Sequence, residues 1–440
     1  MPQPIDTLIC PRWLVPVEPA GVVADHAVAV HRGVILEVLP ALEARVRYSA
    51  QEVFSLPNHV VIPGLVNLHT HAAMALLRGF ADDLPLKDWL QNHIWPAEQA
   101  NISSRFVKDG SLLACAEMLK GGITCFNDMY FFPHATAEAA LESGMKANIG
   151  MIVMDSPTPY ASDGADYLAK GLACRDALKG EPSLSFCFAP HAPYTVGDEN
   201  FRQIVTLAEQ IGAPIHCHLH ETHDEIERSE GRYGVRPIER LARLGLLGPD
   251  FIGFHAVHLT AFEINTLAHY GCNVAHCPAS NLKLASGLPP VSRLLEAGIN
   301  VGIGTDGAAS NNRLDLFAEM RLAALLAKGI SGTATVLPAF DVVRAATLCG
   351  AIALGLDATI GSIKSGKRAD MVAVDFSGPE TQPVFDPVSH LVYVAGRENV
   401  SHVWVDGKLK VDNGSLIGFD TSDLNARAGY WAAKLSIPHS

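Results

Sequence analysis

The sequence predicts an α/β fold, a (β/α)8 TIM barrel carrying a small β-sandwich domain formed from both chain ends. Three observations predict it. Between about Ile62 and Gly361, short apolar runs alternate with longer Ala-, Leu- and Glu-rich segments of helical period. The runs number eight, and their span of about 300 residues suits a barrel of about 250 residues with insertions. Outside that span, both chain ends carry short alternating stretches with Asp-Gly and Asn-Gly turns, the signature of β-hairpins.

Taken in order, the N-terminal part alternates as HAVAVHRGVILEVL up to Leu39. The runs PGLVNLHTH, GITCFND, KANIGMIVM, SLSFCFAPH, APIHCHLHE, FIGFHAVHL, GCNVAHCPAS and INVGIGTDG then supply the eight strands. ADMVAVDF and VSHVWVDGKLKVDNG return to the hairpin pattern. The expected domains are 1–61 plus 362–440, the two strand-rich ends, and 62–361, a barrel. A doubly wound open sheet is the rival architecture.

Of the 440 residues, 48% are hydrophobic and 18% charged, enough to bury a large core. A formal net charge of −13 offers no clustered cationic surface for nucleic acid or an anionic membrane, so neither is an expected partner. The nine cysteines form no C-x-x-C pair and mostly sit in apolar runs, which suits buried thiols in a reducing compartment. The first residues, MPQPIDTLICPRWLVPVEP, lack a basic segment ahead of an apolar one, and no run approaches membrane-spanning length. The cytoplasm is the expected location.

In a barrel, polar residues at the C-terminal ends of strands face the active site. Here the first run closes with His69 and His71, the fourth with His191, and the fifth with His216, His218, His220 and Glu221. His255 and His258 close the sixth, and Asp306 the eighth. The two-residue period of a strand puts His69 and His71 on one side, so both imidazoles can face one point. Two histidines from one strand, a third from another and an aspartate make a nitrogen- and oxygen-rich site without thiolate. Such a set suits Zn²⁺, or Fe²⁺, with an open position for catalysis. His216, His218 and His220 share a face, with His216 deeper and His220 beyond the rim, which favours His218 without excluding the others. HETH lacks the H-E-x-x-H spacing of a zincin helix. No lysine on the fourth to sixth runs is available as a bridging ligand, so one metal is expected.

Gly302, Gly304 and Gly307 spell G-x-G-x-x-G behind a strand, the mark of a dinucleotide turn and hence of an NAD-dependent oxidoreductase. That reading fails on its surroundings. AASNN, not an apolar helix, follows Gly307, and Asp306 would point negative charge at a pyrophosphate. Small residues here instead let the backbone approach a site closely.

Together, VIPGLVNLHTHAAMALLRGFADDLPLKDWL, HLHET, FHAVHL, CPASNLKLASG, GIGTDGAASNNRLDLFAEMRLA and GSIKSGKRADMVAVD resemble the amidohydrolase superfamily. Within it they resemble the 5′-methylthioadenosine/S-adenosylhomocysteine deaminases. The resemblance covers nearly the whole chain. It implies one divalent metal, zinc with iron as the alternative, held by His69, His71, His218 and Asp306. It further implies proton transfer by Glu221, catalytic roles for His255 and Asp306, and substrate contacts from Glu98, His191, Glu221 and the aromatic wall Trp89. Ser310 and Asn311, following Asp306, are expected to shape the loop or touch substrate, and Asn281 to fix a loop. The implied fold is a catalytic barrel beside a composite β-sandwich that joins both chain ends, and a homo-oligomer, dimer or tetramer, is implied as well.

The implied reaction is hydrolytic removal of the 6-amino group of an adenine nucleoside, giving the inosine product and ammonia. Members that bind S-adenosylhomocysteine well tend to carry arginines after the third strand. MIVMDSPTPYASDGADYL contains none, which favours 5′-methylthioadenosine or adenosine. Guanine, cytosine or chlorotriazine substrates on the same scaffold form the alternative reading, and a metal-free relative the last one.

Overall fold

The computed structural model of the protein describes residues 1–436. Eight parallel strands occur where the apolar runs lie. They are β1 Leu65–Thr70, β2 Ile123–Tyr130, β3 Lys146–Val153, β4 Leu184–Pro190, β5 Ile215–Leu219, β6 Phe251–His255, β7 Asn273–His276 and β8 Asn300–Ile303. Each pairs with its chain neighbour, in the order β8 to β1, and a helix or helical segment follows most of them. Burial on both faces explains why these strands read as continuous apolar runs rather than alternating ones; β2 and β3 have no exposed residue.

Beyond the strand ends, the first and last strands meet. The Asp306 amide donates to the His69 carbonyl at 2.9 Å, and Thr70 Oγ1 donates to the Asp306 carbonyl at 3.1 Å. Gly304 makes this approach possible, since a Cβ there would stand 2.8 Å from the His69 nitrogen. The glycine pattern of GIGTDG is thus a seam of the barrel, not a phosphate cradle.

A separate nine-stranded mixed sheet gathers strands from both chain ends. Its long members, Gln3–Leu14 and Tyr48–Pro63, run parallel, and Met371–Asp375 pairs antiparallel with the second. The segment HAVAVH is apolar at successive positions because both faces of the sheet are covered. Val28 and Val30 join a core with Ile9, Leu56, Met371 and Trp404, while Ala27 and Ala29 join another with Ile5, Leu8 and Tyr48. Asp406-Gly407 and Asn413-Gly414 turn the C-terminal hairpins with both residues at positive φ, as a primed two-residue turn requires.

The described chain divides into two compact units. One comprises 1–67, 116–125 and 315–419; the other comprises 68–115, 126–314 and 420–436. The second holds every residue of the site below. Among the described residues no helix is long and apolar enough to cross a membrane.

Candidate active site

The strand ends bring most of the predicted residues to one cleft. His71, Trp89, Glu98, His191, His218, Glu221, His255, Asp306 and Ser310 all line it. His69 lies just beneath, fully buried, with its ring stacked on Phe254 at 3.8 Å between centroids. Trp89 arrives on the helical segment after β1, which includes a π-helical turn over Trp89–Ile94. Such turns are rare and frequent at functional sites.

Three histidines share one hydrogen-bonding arrangement. His71 Nδ1 donates to the Met129 carbonyl at 2.5 Å, His218 Nδ1 to the His191 carbonyl at 2.6 Å, and His255 Nδ1 to Asn281 Oδ1 at 2.8 Å. A carbonyl oxygen can only accept, so Nδ1 carries a hydrogen, and in the neutral ring Nε2 is the nitrogen with the lone pair. Outer partners of this kind orient ligating histidines in metal sites. His69 is the exception, since neither of its ring nitrogens has a hydrogen-bond partner.

Asp306 lies opposite, 3.4 Å from His69 Nε2 and 3.2 Å from His71 Nε2 through Oδ1. The Gly307 amide donates to the same oxygen, while Ser280 and Ser310 hydroxyls donate to Oδ2 at 2.6 and 2.8 Å. Burial would lower the His71 imidazole, but the bond and charge of Asp306 outweigh it and take it up to about 9. Burial holds His69 down at about 3. Asp306 is kept well below the usual carboxylate range, because the two imidazoles outweigh the effect of its burial. His255 and Asp306 both sit at positive φ, 68° and 60°, strain of the kind that collects at functional sites.

The donor set passes the test for a divalent metal. Ring nitrogens of His69, His218 and His255 lie within 4.8 Å of one another, as do the ligand atoms of His69, His71 and Asp306. Both triads share His69, whose buried, unpartnered nitrogens otherwise have no account. Nitrogen and carboxylate oxygen without thiolate suit zinc or iron in a catalytic site.

Two buried carboxyl groups, Glu221 and Glu98, flank this centre. Glu221 is buried, which raises its carboxyl; Ser286 Oγ donates to Oε1 at 3.3 Å, and His255 Nε2 stands 3.9 Å from Oε2. The Glu225 carboxylate accepts the backbone amides of His220 and Glu221, both at 2.9 Å, and so fixes the turn that carries Glu221. Across the cleft, Tyr130 donates to Glu98 Oε1 at 2.6 Å, and burial pushes the Glu98 carboxyl up to about 7.

Other histidines stand elsewhere. His216 is bonded to Asn127 Nδ2 at 2.9 Å, and His220 is engaged by the His258 carbonyl and the Ile238 amide. His258 donates to the Ser286 carbonyl. Sequence reasoning gave no role to Tyr130, Ser280 or Ser286, and gave Asn281 only that of fixing a loop, whereas its side chain meets His255. Ser280 and Asn281 belong to CPASNLKLASG, a segment quoted above without a chemical role for either.

The family model described as "Amidohydrolase family" matches residues 60–410. The chain belongs to the amidohydrolase family. A 5-methylthioadenosine/S-adenosylhomocysteine deaminase of Saccharophagus degradans is 46% identical over 433 residues, 98% of this chain and 97% of that one. A 5′-deoxyadenosine deaminase of Methanosarcina mazei is 42% identical over 418 residues, 94% and 95% of the two chains. The crystal structure of an adenosine deaminase from Xanthomonas campestris with bound zinc superposes with a TM-score of 0.98, at 50% identity and 99% coverage of both chains.

Proposed function

We propose that the protein is a metal-dependent aminohydrolase that removes the 6-amino group of adenine nucleosides, with 5′-methylthioadenosine the favoured substrate. One observation carries the reading. A histidine and aspartate centre, the Glu221–His255 pair and the carboxylate of Glu98 all face a single cleft. In this reading His69, His71, His218 and Asp306 hold the metal, zinc first and iron as the alternative. Bound there, a divalent metal lowers the pKa of water from 15.7 to roughly 7 and makes a nucleophile available at neutral pH.

Glu221 is the proton carrier. Its burial raises its affinity for a proton, so it can take one from the attacking water and hand it to N1 of the purine; the hydroxyl then on C6 gives its remaining proton to the 6-amino group, the C6–N bond breaks, ammonia leaves and the C6 carbonyl forms. His255, beside it, holds the attacking oxygen. Glu98 accepts from the ribose hydroxyls; Tyr130 occupies one lone pair of Oε1, leaving Oε2 free for substrate. Trp89 supplies an aromatic wall to the nucleoside, His191 a further polar contact, and Ser310 holds Asp306. Ile152, near the end of β3, and Met154, just after it, line the cleft, and among the described residues no lysine or arginine lines it, which supports an uncharged 5′ group over the homocysteine of S-adenosylhomocysteine.

The functional division is that of a barrel over 62–361 with 1–61 and 362–440 as its companion, since all eight strands and every site residue fall within the first. A homo-oligomer in the cytoplasm completes the reading; sedimentation would give its size.

A nucleoside panel on the metal-loaded enzyme tests the activity, because loss of the 6-amino group changes the purine absorbance. Turnover of 5′-methylthioadenosine and adenosine is expected. Turnover of guanine or a chlorotriazine without either nucleoside would overturn the reading.

A further inference from the structure

We propose that Asn281 is a positioning residue for the reaction, holding the His255 ring through Nδ1 so that Nε2 faces Glu221 and the histidine centre. The inference rests on the role of His255 proposed above.

His255 is the last residue of β6 and is 1% exposed. Its backbone is left-handed, at φ 68°, so the strand ladder does not dictate where its ring points. The hydrogen bond to Asn281 Oδ1, 2.8 Å long, comes from a residue 26 positions away, on the helical turn Pro278–Lys283 after β7. With Nδ1 engaged as a donor, the neutral ring must present an unprotonated Nε2 to the cleft. That nitrogen stands 3.9 Å from Glu221 Oε2. A neutral amide performs this task without adding a charge beside Asp306 and Glu221.

The other end of the amide points to function over stability. Asn281 is 1% exposed, and its Nδ2 has no hydrogen-bond partner. A buried, unpaired donor destabilises the folded state, so an asparagine placed only for stability would be expected to satisfy both ends. An apolar residue of similar size would spare that penalty but could not hold His255.

The test compares Asn281→Leu with Asn281→Asp in the metal-loaded enzyme. Asn281→Leu is expected to lower kcat by about 10- to 100-fold, the range for losing an outer partner of a site histidine. KM and metal content should stay near wild type; leucine spares the unpaired Nδ2 but leaves the buried His255 Nδ1–H without its acceptor, so the two effects oppose and Tm should change little. Asn281→Asp keeps an acceptor for Nδ1 but adds a charge, and should recover part of the kcat lost in Asn281→Leu. In a His255→Ala background, Asn281→Leu should add nothing, since it acts through the missing ring. Wild-type kcat in Asn281→Leu, or the same loss in the His255→Ala background, would overturn the inference. If the wild type deaminated no nucleoside, the functional reading would fall first. The tautomer then decides separately: ¹⁵N-histidine NMR, with His255 assigned from the His255→Ala spectrum, should show hydrogen on Nδ1. Hydrogen on Nε2 alone overturns the positioning role.

Discussion

His216 and His218 lie two residues apart on the same strand and face the same way, yet they belong to regions of opposite character. Deep in the sheet, His216 sits in a satisfied network: Asn127 donates to its Nδ1, and also to the Leu68 carbonyl, while Asn148 donates to Asn127 Oδ1 and to Cys187 Sγ. One turn of the pleat outward, His218 joins His69, which has two unpartnered nitrogens, and His255 and Asp306, which have strained backbones. Burial is nearly complete in both layers. The difference at these two positions is in polar satisfaction: His216 is tied into a side-chain network, whereas His218 stands beside the unbonded ring of His69.

The largest expected effect falls on the unsatisfied layer. His69→Ala should lose the metal and reduce deamination by more than the ~10²–10³-fold that removal of one stabilising donor brings. Metal analysis and initial rates check it; an active, metal-replete variant would break the contrast between the layers. The inner layer should respond in stability instead. His216→Leu leaves one buried Asn127 N–H without an acceptor and is expected to cost about 1–3 kcal/mol. Denaturant melts should show that loss, while kcat and bound metal remain as in the wild type.

The layers differ in how far the sequence revealed them. Strand ends were legible, because five of the eight apolar runs closed on histidines or on Asp306, and all eight runs form strands. The choice among His216, His218 and His220 was not fully legible, since it depends on partners distant in the chain. Asn127 claims the first from another strand, and the Ile238 amide and His258 carbonyl claim the third. Period-two geometry put the three on one face and could only favour the middle one. Tyr130, Asn281 and Ser286 escaped for a related reason: each acts on a residue 26 to 65 positions away through loop conformations, including positive φ at His255, that carry no local sequence signal.

Glu98 sharpens the comparison through pH. Burial lifts its carboxyl from 4.5 to about 7, against the opposing pull of the Tyr130 hydroxyl. If Glu98 binds the ribose as proposed, the ionised form is the one that accepts from both hydroxyls, so kcat/KM for nucleosides should fall as pH drops through about 7, approaching tenfold per unit. Stability should move in the other direction. A carboxyl whose folded pKa exceeds its unfolded one binds more protons when folded, so stability declines as pH rises from 4.5 to about 7. Glu98→Gln should then raise Tm relative to wild type above pH 7 while weakening substrate binding. A flat Tm difference across that window would show that the carboxyl is not held in its neutral form.

The smallest expected effect lies at Asp306, the member of the outer layer with the most partners. Ser280 and Ser310 both donate to Oδ2, and the Gly307 amide fixes Oδ1. Losing an outer partner of a site residue typically reduces activity 10- to 100-fold, but here each hydroxyl backs the other. Ser310→Ala alone should therefore lower kcat by less than about tenfold, and Ser280→Ala likewise. The double variant should lose more than the product of the two, because contacting groups that share one acceptor couple. Strict additivity would mean that each serine holds Asp306 independently, and the carboxylate would then depend on its hydroxyl partners as closely as His255 depends on Asn281.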